Sequence, residues 1–209
     1  MLLAFNGKIN YNFQCDLSWR IIKFMYSKIS SFIGELLQIV VFAISIFLFV
    51  YLLVLQPHKI KGESMEPNFH NSEYLLTDKV SYRFGDPERG DVIVFKAPPS
   101  YTDEFIKRVI AIPGETVMVK DGHVYVNGNQ INEDYIPNNF VTRPGQYAQE
   151  GVEITVGENE YFVLGDNRDH SLDSRVLGTI GKEYITGRAW LVYWPINQIG
   201  VITAPIYAF

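Results

Sequence analysis

Twenty-one consecutive residues, Leu36 to Gln56, carry no formal charge: LLQIVVFAISIFLFVYLLVLQ. Wound as a helix at ~1.5 Å per residue, the run spans roughly 30 Å, the thickness of a hydrocarbon core. A cleavable signal peptide has a shorter apolar stretch, about 7–15 residues, with small residues at its cleavage site. Here QPHK follows instead. A buried helix of a soluble core is the weaker alternative, and the run reads as a single transmembrane helix. It divides the chain into a short N-terminal segment (1–35), an anchor (36–56) and a C-terminal domain (57–209).

Charge orients the anchor. Residues 1–35 hold four basic residues (Lys8, Arg20, Lys23, Lys28) against two acidic ones, whereas residues 57–209 hold 14 Lys/Arg against 21 Asp/Glu. Close to the run, Arg20, Lys23 and Lys28 face Lys59 and Lys61. The positive-inside rule thus points to a cytoplasmic N-terminus and a C-terminal domain on the extracytoplasmic side. An acidic domain is a poor nucleic-acid binder, because phosphate contacts need clustered Lys/Arg. The one cysteine, Cys15, precedes the anchor, so the C-terminal domain has no disulfide; about 150 residues bury enough apolar surface without one. There is no CxxC or HExxH, and His58, His70, His123 and His170 are not spaced as metal ligands. No metal or other cofactor is expected.

Beyond the anchor the chain reads as strands between turns. Residues 91–97, 105–112, 115–131, 160–166 and 188–196 are rich in Val, Ile and aromatics, broken by Asp121-Gly122, Asn127-Gly128, Pro113-Gly114 and Pro98-Pro99. Asn-Gly between extended segments is a strong hairpin signal. No long helical period appears. The fold class expected is mostly β, a barrel- or sandwich-like domain behind one helix, with the polar residues 132–159 as a peripheral excursion.

KGESMEPNF (61–69) raises the question of chemistry. Ser64 lies eight residues past Gln56, at most roughly 28 Å along the chain from the end of the run. Pro67 biases Glu66 towards an extended conformation, so no helix starts here. The serine lacks a G-x-S-x-G elbow. One possible partner is His170, in a Ser-His-Asp triad with Asp166, Asp169 or Asp173; a histidine in so charged a loop is more often a surface hydrogen-bonder. The same loop lacks the carboxylate alternation and glycine of an EF-hand, and GTIGK (178–182) lacks the first glycine of a phosphate loop.

The other possible base is a lysine. With an ordinary pKa of about 10.4 it is protonated at neutral pH, and burial can depress that value by several units. A catalytic lysine therefore belongs where lysine looks out of place. FIKRVIAI (105–112) offers Lys107, which shares a strand face with Phe105, Val109 and Ala111. Alone, the strand equally accommodates an edge lysine whose stem covers apolar surface while its ammonium reaches water.

Four segments, in order, resemble the boxes of the type I signal peptidases, membrane-anchored Ser-Lys proteases: GESMEP (62–67), RGDVIVF (89–95), KRVIAIPGE (107–115) and GDNRDHSLDSR (165–175). Together they span 62–175. The resemblance implies Ser64 as nucleophile, Lys107 as its general base, and Ser171 as a hydrogen-bonding partner that orients the lysine. Asp173 and Arg175 match a charged pair that fixes the adjoining loop, a structural role. The Ser64 backbone N–H matches an oxyanion donor. Some members add a hydroxyl two residues before the nucleophile; Gly62 stands there, a frequent variant, and leaves the second donor unknown. His170 takes a position often held by Asn, which weakens the triad. Implied substrates are exported preproteins, cut after a small residue with another two positions earlier, as in A-x-A, beside a lipid bilayer. A catalytically dead relative is disfavoured because Ser64 and Lys107 are both present. A Ser-Lys protease with a narrow, dedicated substrate stays open, and a soluble self-cleaving repressor does not fit the anchor.

Overall fold

The computed structural model describes residues 11–205 and 207, with side chains from Trp19 onward; Lys8 and the Cys15 side chain lie outside the described residues. The chain divides into two units, one ending at Val50 and the other beginning at Tyr51.

Helix α1 runs from Tyr11 to Leu53. Its stretch Trp19–Leu53 is long and apolar enough to cross a membrane, and none of its most apolar window is buried in the protein. The helix includes much of the segment 1–35 and stops three residues short of Gln56. Leu55–Lys59 instead form a strand, β1. Pro57 cannot donate to a ladder, but β1 pairs on one side only, where that loss is tolerated.

The second unit is mostly β. After β1 come β2 (Tyr74–Asp78), β3 (Val92–Lys96), β4 (Glu104–Ala111), β5 (Thr116–Lys120), β6 (His123–Val126) and β7 (Asn129–Gln130). Then follow β8 (Ile154–Thr155), β9 (Glu160–Leu164), β10 (Ile180–Gly181), β11 (Ile185–Trp194) and β12 (Gly200–Val201). The larger sheet has the order β1-β2-β11-β3-β4-β9-β10, with β12 also on β11; the smaller is β7-β6-β5-β8. All named strand pairs are antiparallel. Helices in this unit are single turns such as α2 (Ser81–Phe84) and α3 (Ser174–Leu177).

Strand β3 shows why the sequence folds this way. Val92 and Val94 enter a core with Ile60, Met65, Phe69 and Leu75, while Ile93 and Phe95 enter a second with Val109, Tyr161 and Val163. A strand covered on both faces reads as an unbroken apolar run, and β3 is VIVFK. A third core joins the small sheet to the ends of β4 and β9 through Val117, Val119, Val124, Val126, Phe162 and Leu164. The β5–β6 and β6–β7 turns place Asp121-Gly122 and Asn127-Gly128 at positive φ, the conformation that tight hairpins demand.

Two expectations change in detail. Ala111 does not share the face of Val109, because a bulge between them shifts the register against β9, and Ile110 and Ala111 both enter the third core. Residues 132–159 are more than a peripheral excursion. Ile136, Ala148 and Val156 are buried, β8 extends the small sheet, and Glu133 and Thr142 bond the otherwise buried Arg168.

Candidate active site

Lys107 sits where β4 changes neighbours. Residues 104–108 pair with β3, but pairing with β9 begins only at Arg108. The flank of β4 from Glu104 to Lys107 is thus free of a second strand. Across from it runs the segment 57–64, and between them lies a cleft of about 720 Å³ containing Ser64, Lys107, Ile60 and Ile106.

Lys107 is 3% exposed. Its Nζ lies 2.8 Å from Ser64 Oγ and 2.8 Å from the Ile106 carbonyl oxygen. The edge-lysine alternative therefore fails: the amine is turned inward onto the serine. Loss of hydration on burial lowers the Lys107 pKa from its ordinary 10.5 to about 8, although the negative charges of Asp173 and Asp166 oppose the shift. A substantial neutral fraction at mildly alkaline pH can thus accept a proton from Ser64.

The nucleophile's own loop is held from behind. The Asn167 backbone N–H donates to the Ser64 carbonyl (3.1 Å), and its side-chain amide donates to the Glu63 carbonyl (3.1 Å). Gly165 packs against this strip; a β-carbon there would lie 2.4 Å from the Ser64 carbonyl oxygen and 2.2 Å from Ser171 Oγ. Only glycine permits that approach. Among the described residues no hydrogen bond occupies the Ser64 amide, which leaves it free to donate to an oxyanion. Gly62 has φ +90° with open space where a β-carbon would stand, so backbone conformation rather than crowding calls for glycine there. A hydroxyl residue in its place would be strained.

Asp173 is wholly buried and caps α3. It accepts from the Gly165 amide (3.1 Å), the Arg175 amide (3.2 Å), and bidentately from Arg175 Nε (2.8 Å) and Nη2 (2.9 Å). Arg175 Nη2 also donates to the Arg168 carbonyl (2.7 Å). The pair thus ties both ends of the 165–175 loop together. Ser171 differs from its expected role: its hydroxyl is buried without a hydrogen-bond partner and makes no bond to Lys107. Its Oγ lies beside Gly165, 2.2 Å from where a β-carbon on that residue would stand.

The triad is not assembled. His170 is exposed at the cleft rim and makes no side-chain bond to Ser64. Its three candidate carboxylates belong to arginines: Asp166 to Arg108 (2.9 and 2.6 Å), Asp169 to Arg143 (2.7 Å) and Asp173 to Arg175. Among the described residues no group of His, Cys, Asp and Glu could hold a metal ion.

The signal peptidase, peptidase S26, family model matches residues 33–194. The chain belongs to that family. It is 37% identical over 174 residues to a probable signal peptidase I-2 of Synechocystis sp., covering 81% of this chain and 77% of the relative. It is 40% identical over 159 residues to a signal peptidase I of Leptolyngbya laminosa, covering 73% and 75%. A crystal structure of a signal peptidase I from Enterococcus faecalis overlaps 50% of this chain and 97% of its own, at 34% identity and a TM-score of 0.42. As a family member the protein is a serine protease of the signal peptidase class.

Sequence reasoning missed Gly165 and Asn167 as supports of Ser64, although both stand inside the last box. It also missed Glu133, for which the sequence offers no local signal.

Proposed function

We propose that this signal peptidase is membrane-anchored through α1, with its N-terminus cytoplasmic, and cleaves exported preproteins with Ser64 as nucleophile and Lys107 as general base. The observation that carries the reading is the 2.8 Å approach of a 3%-exposed lysine to a serine hydroxyl in a cleft. Neutral Lys107 takes the Ser64 proton as Oγ attacks the scissile carbonyl, then returns it to the leaving amine. Water activated by the same amine hydrolyses the acyl-enzyme. The Ser64 amide donates to the tetrahedral oxyanion, and Asp173 and Arg175 hold the loop that backs it. Ser171 can orient Lys107 only by turning its hydroxyl from the position described.

The cleft suits an extended peptide. Strand β1 and residues 104–107 each carry an unpaired backbone edge, to which a substrate strand can add. Its apolar floor, Ile60, Leu75, Val94 and Ile106, fits small apolar side chains of the A-x-A kind. Because this floor lies along 57–64 and 104–107, the residues preceding the cleaved bond occupy that stretch.

Purified full-length protein in detergent, mixed with a panel of preproteins, tests the reading. Ser64→Ala and Lys107→Ala are each expected to abolish cleavage while keeping the wild-type circular dichroism, and His170→Asn to retain most of it. Processing by either dyad variant would sink the mechanism; a thousand-fold loss in His170→Asn would revive the triad. Cleavage of one preprotein alone would favour a dedicated protease.

A further inference from the structure

After β12 the chain returns to the face of β4 opposite the dyad. Residues 203–205 and Tyr207 lie against Gly90, where a β-carbon would stand 3.0 Å from Pro205 Cδ and 3.0 Å from Tyr207 Cε2. Tyr207 also packs on the third core and meets the Tyr135 ring edge-on, with centroids 6.0 Å apart. Its hydroxyl is buried without a hydrogen-bond partner, so the ring makes its contacts. Gly90 and Tyr135 are in turn two of the groups that enclose Arg108, the neighbour of Lys107 on the other face of β4. Arg108 is 3% exposed; its Nη1 donates to the Gly90 carbonyl (3.0 Å), and its guanidinium carbon stands 4.4 Å from the Tyr135 ring centre.

The remaining partner of Arg108 is Asp166, held bidentately and wholly buried. Asp166 also accepts from Asn68 Nδ2 (2.8 Å), which donates to the Tyr135 carbonyl as well (2.8 Å). The other arginine near it, Arg168, is committed to Glu133, so Arg108 is the cation that neutralises Asp166. That charge matters to the chemistry: Asp166 stands between Gly165 and Asn167, the supports of Ser64, and its field favours the protonated form of Lys107.

We infer that residues 203–205 and Tyr207 form a strap that positions Arg108: the Tyr207 ring presses on Gly90 and Tyr135, keeps Arg108 dry and seated on Asp166, and so keeps that carboxylate from acting on the dyad unopposed. The inference rests on the proposed function and adds a positioning residue to it, one beyond the four boxes and beyond the matched residues 33–194. Without the ring, water enters the cavity of about 390 Å³ that Arg108 and Tyr135 line with Thr203 and Pro205. An ion pair in a high dielectric gains little, so a hydrated Arg108 leaves Asp166 more readily. Asp166 then acts on Lys107 with a fuller charge, and the amine keeps its proton to higher pH. The other charges around Lys107 are independent of the strap. On the 165–175 loop Asp173 is paired with Arg175, and His170 stands at the rim. His58, Lys59, Lys61 and Glu63 line one wall of the cleft, and Asp103 and Glu104 the other. Of all these groups and Arg108, only Arg108 lines the strap's cavity.

The test is the pH profile of kcat/KM for the full-length protein in detergent, acting on one preprotein that it cleaves. Tyr207→Ala, and a chain ended after Ile202, are expected to move the pH of half-plateau up by about half a unit. At pH 7 that reads as a roughly threefold loss, and near pH 10 the loss closes. Tyr207→Phe keeps the ring and is expected to superimpose on wild type. A merely structural role would lower the whole profile by one factor and leave its midpoint in place, which overturns the strap. If both variants fail to fold, Tyr207→Leu, which keeps apolar bulk on the third core but removes the ring that meets Tyr135, is expected to move the midpoint the same way. An unmoved midpoint in folded variants, or a Tyr207→Phe profile displaced like that of Tyr207→Ala, overturns the strap while leaving the protease reading intact. A wild-type profile without an alkaline rise overturns both.

Discussion

Lys107 and Ser64, 43 residues apart in sequence, meet with Nζ 2.8 Å from Oγ, and among the described residues the other acceptor bonded by that nitrogen is the Ile106 carbonyl. These two contacts serve a neutral amine: it donates to the Ile106 carbonyl, and its lone pair accepts the Ser64 hydroxyl. The geometry accommodates the protonation state that a general base requires, and burial favours it.

The pH dependence of catalysis follows from this pair. The Lys107 amine accepts a proton only when neutral, and burial brings its pKa down to about 8. Its kcat/KM is expected to rise with pH and to reach half its plateau near 8. Stability should carry an imprint of the same burial. In the unfolded chain the lysine holds its proton up to about 10.5, and in the folded protein only up to about 8. Below pH 8 both states are protonated and the full penalty of a buried charge remains, on the order of 3 kcal/mol. Between 8 and 10.5 the unfolded state binds more protons, so stability rises with pH. Lys107→Met is therefore expected to be inactive yet more stable than wild type below pH 8, by an amount that shrinks above it. Urea denaturation across pH 6–10.5 checks the sign.

Much of this arrangement was legible in the sequence, and what was not has identifiable causes. Strands β3, β4, β9 and β11 stand out because β-branched and aromatic residues fill them, and the β5–β6–β7 meander because Asp-Gly and Asn-Gly mark its turns. Strand β1 was hidden: its first residues continue the apolar run of the anchor, and Pro57 argues against a strand unless that strand lies at an edge. Strands β8, β10 and β12 are two residues each, too short for any pattern. Alternation placed Phe105 and Lys107 on one face but could not foresee the bulge after Val109. For Ser171, the sequence puts a hydroxyl beside the site but does not determine where it points. Glu133 meets Arg168 across 35 residues, a pairing with no local signature.

Gly165→Ala should separate position from identity at the nucleophile. The new methyl group would meet the Ser64 carbonyl at 2.4 Å and Ser171 Oγ at 2.2 Å. The Ser171 hydroxyl can rotate away, but its β-carbon, 2.6 Å from the new methyl group, cannot, so backbone at both 64 and 171 must move. A displacement of about 1 Å costs roughly 100-fold in rate when nucleophile and base must stay aligned. The expected result is a loss of at least that size in kcat with every catalytic side chain present. Retention of wild-type kcat would show that the Ser64 strip shifts without consequence.

Glu133 is expected to matter for stability because of what it neutralises. Arg168 is 2% exposed and donates to both Glu133 carboxylate oxygens, to Thr142 Oγ1 (2.6 Å) and to the Gly165 carbonyl (3.0 Å). Removing one partner of a buried pair leaves an uncompensated charge and costs about 3–5 kcal/mol, whereas replacing both partners by apolar groups costs less. Glu133→Ala should therefore lower the urea midpoint sharply, and Glu133→Ala combined with Arg168→Met should recover part of the loss. The same variants are expected to lower kcat, since the Arg168 backbone carbonyl receives Arg175 and its side chain steadies Gly165 behind Ser64. A double variant no more stable than Glu133→Ala alone would show that Arg168 is held by its other partners rather than by the ion pair.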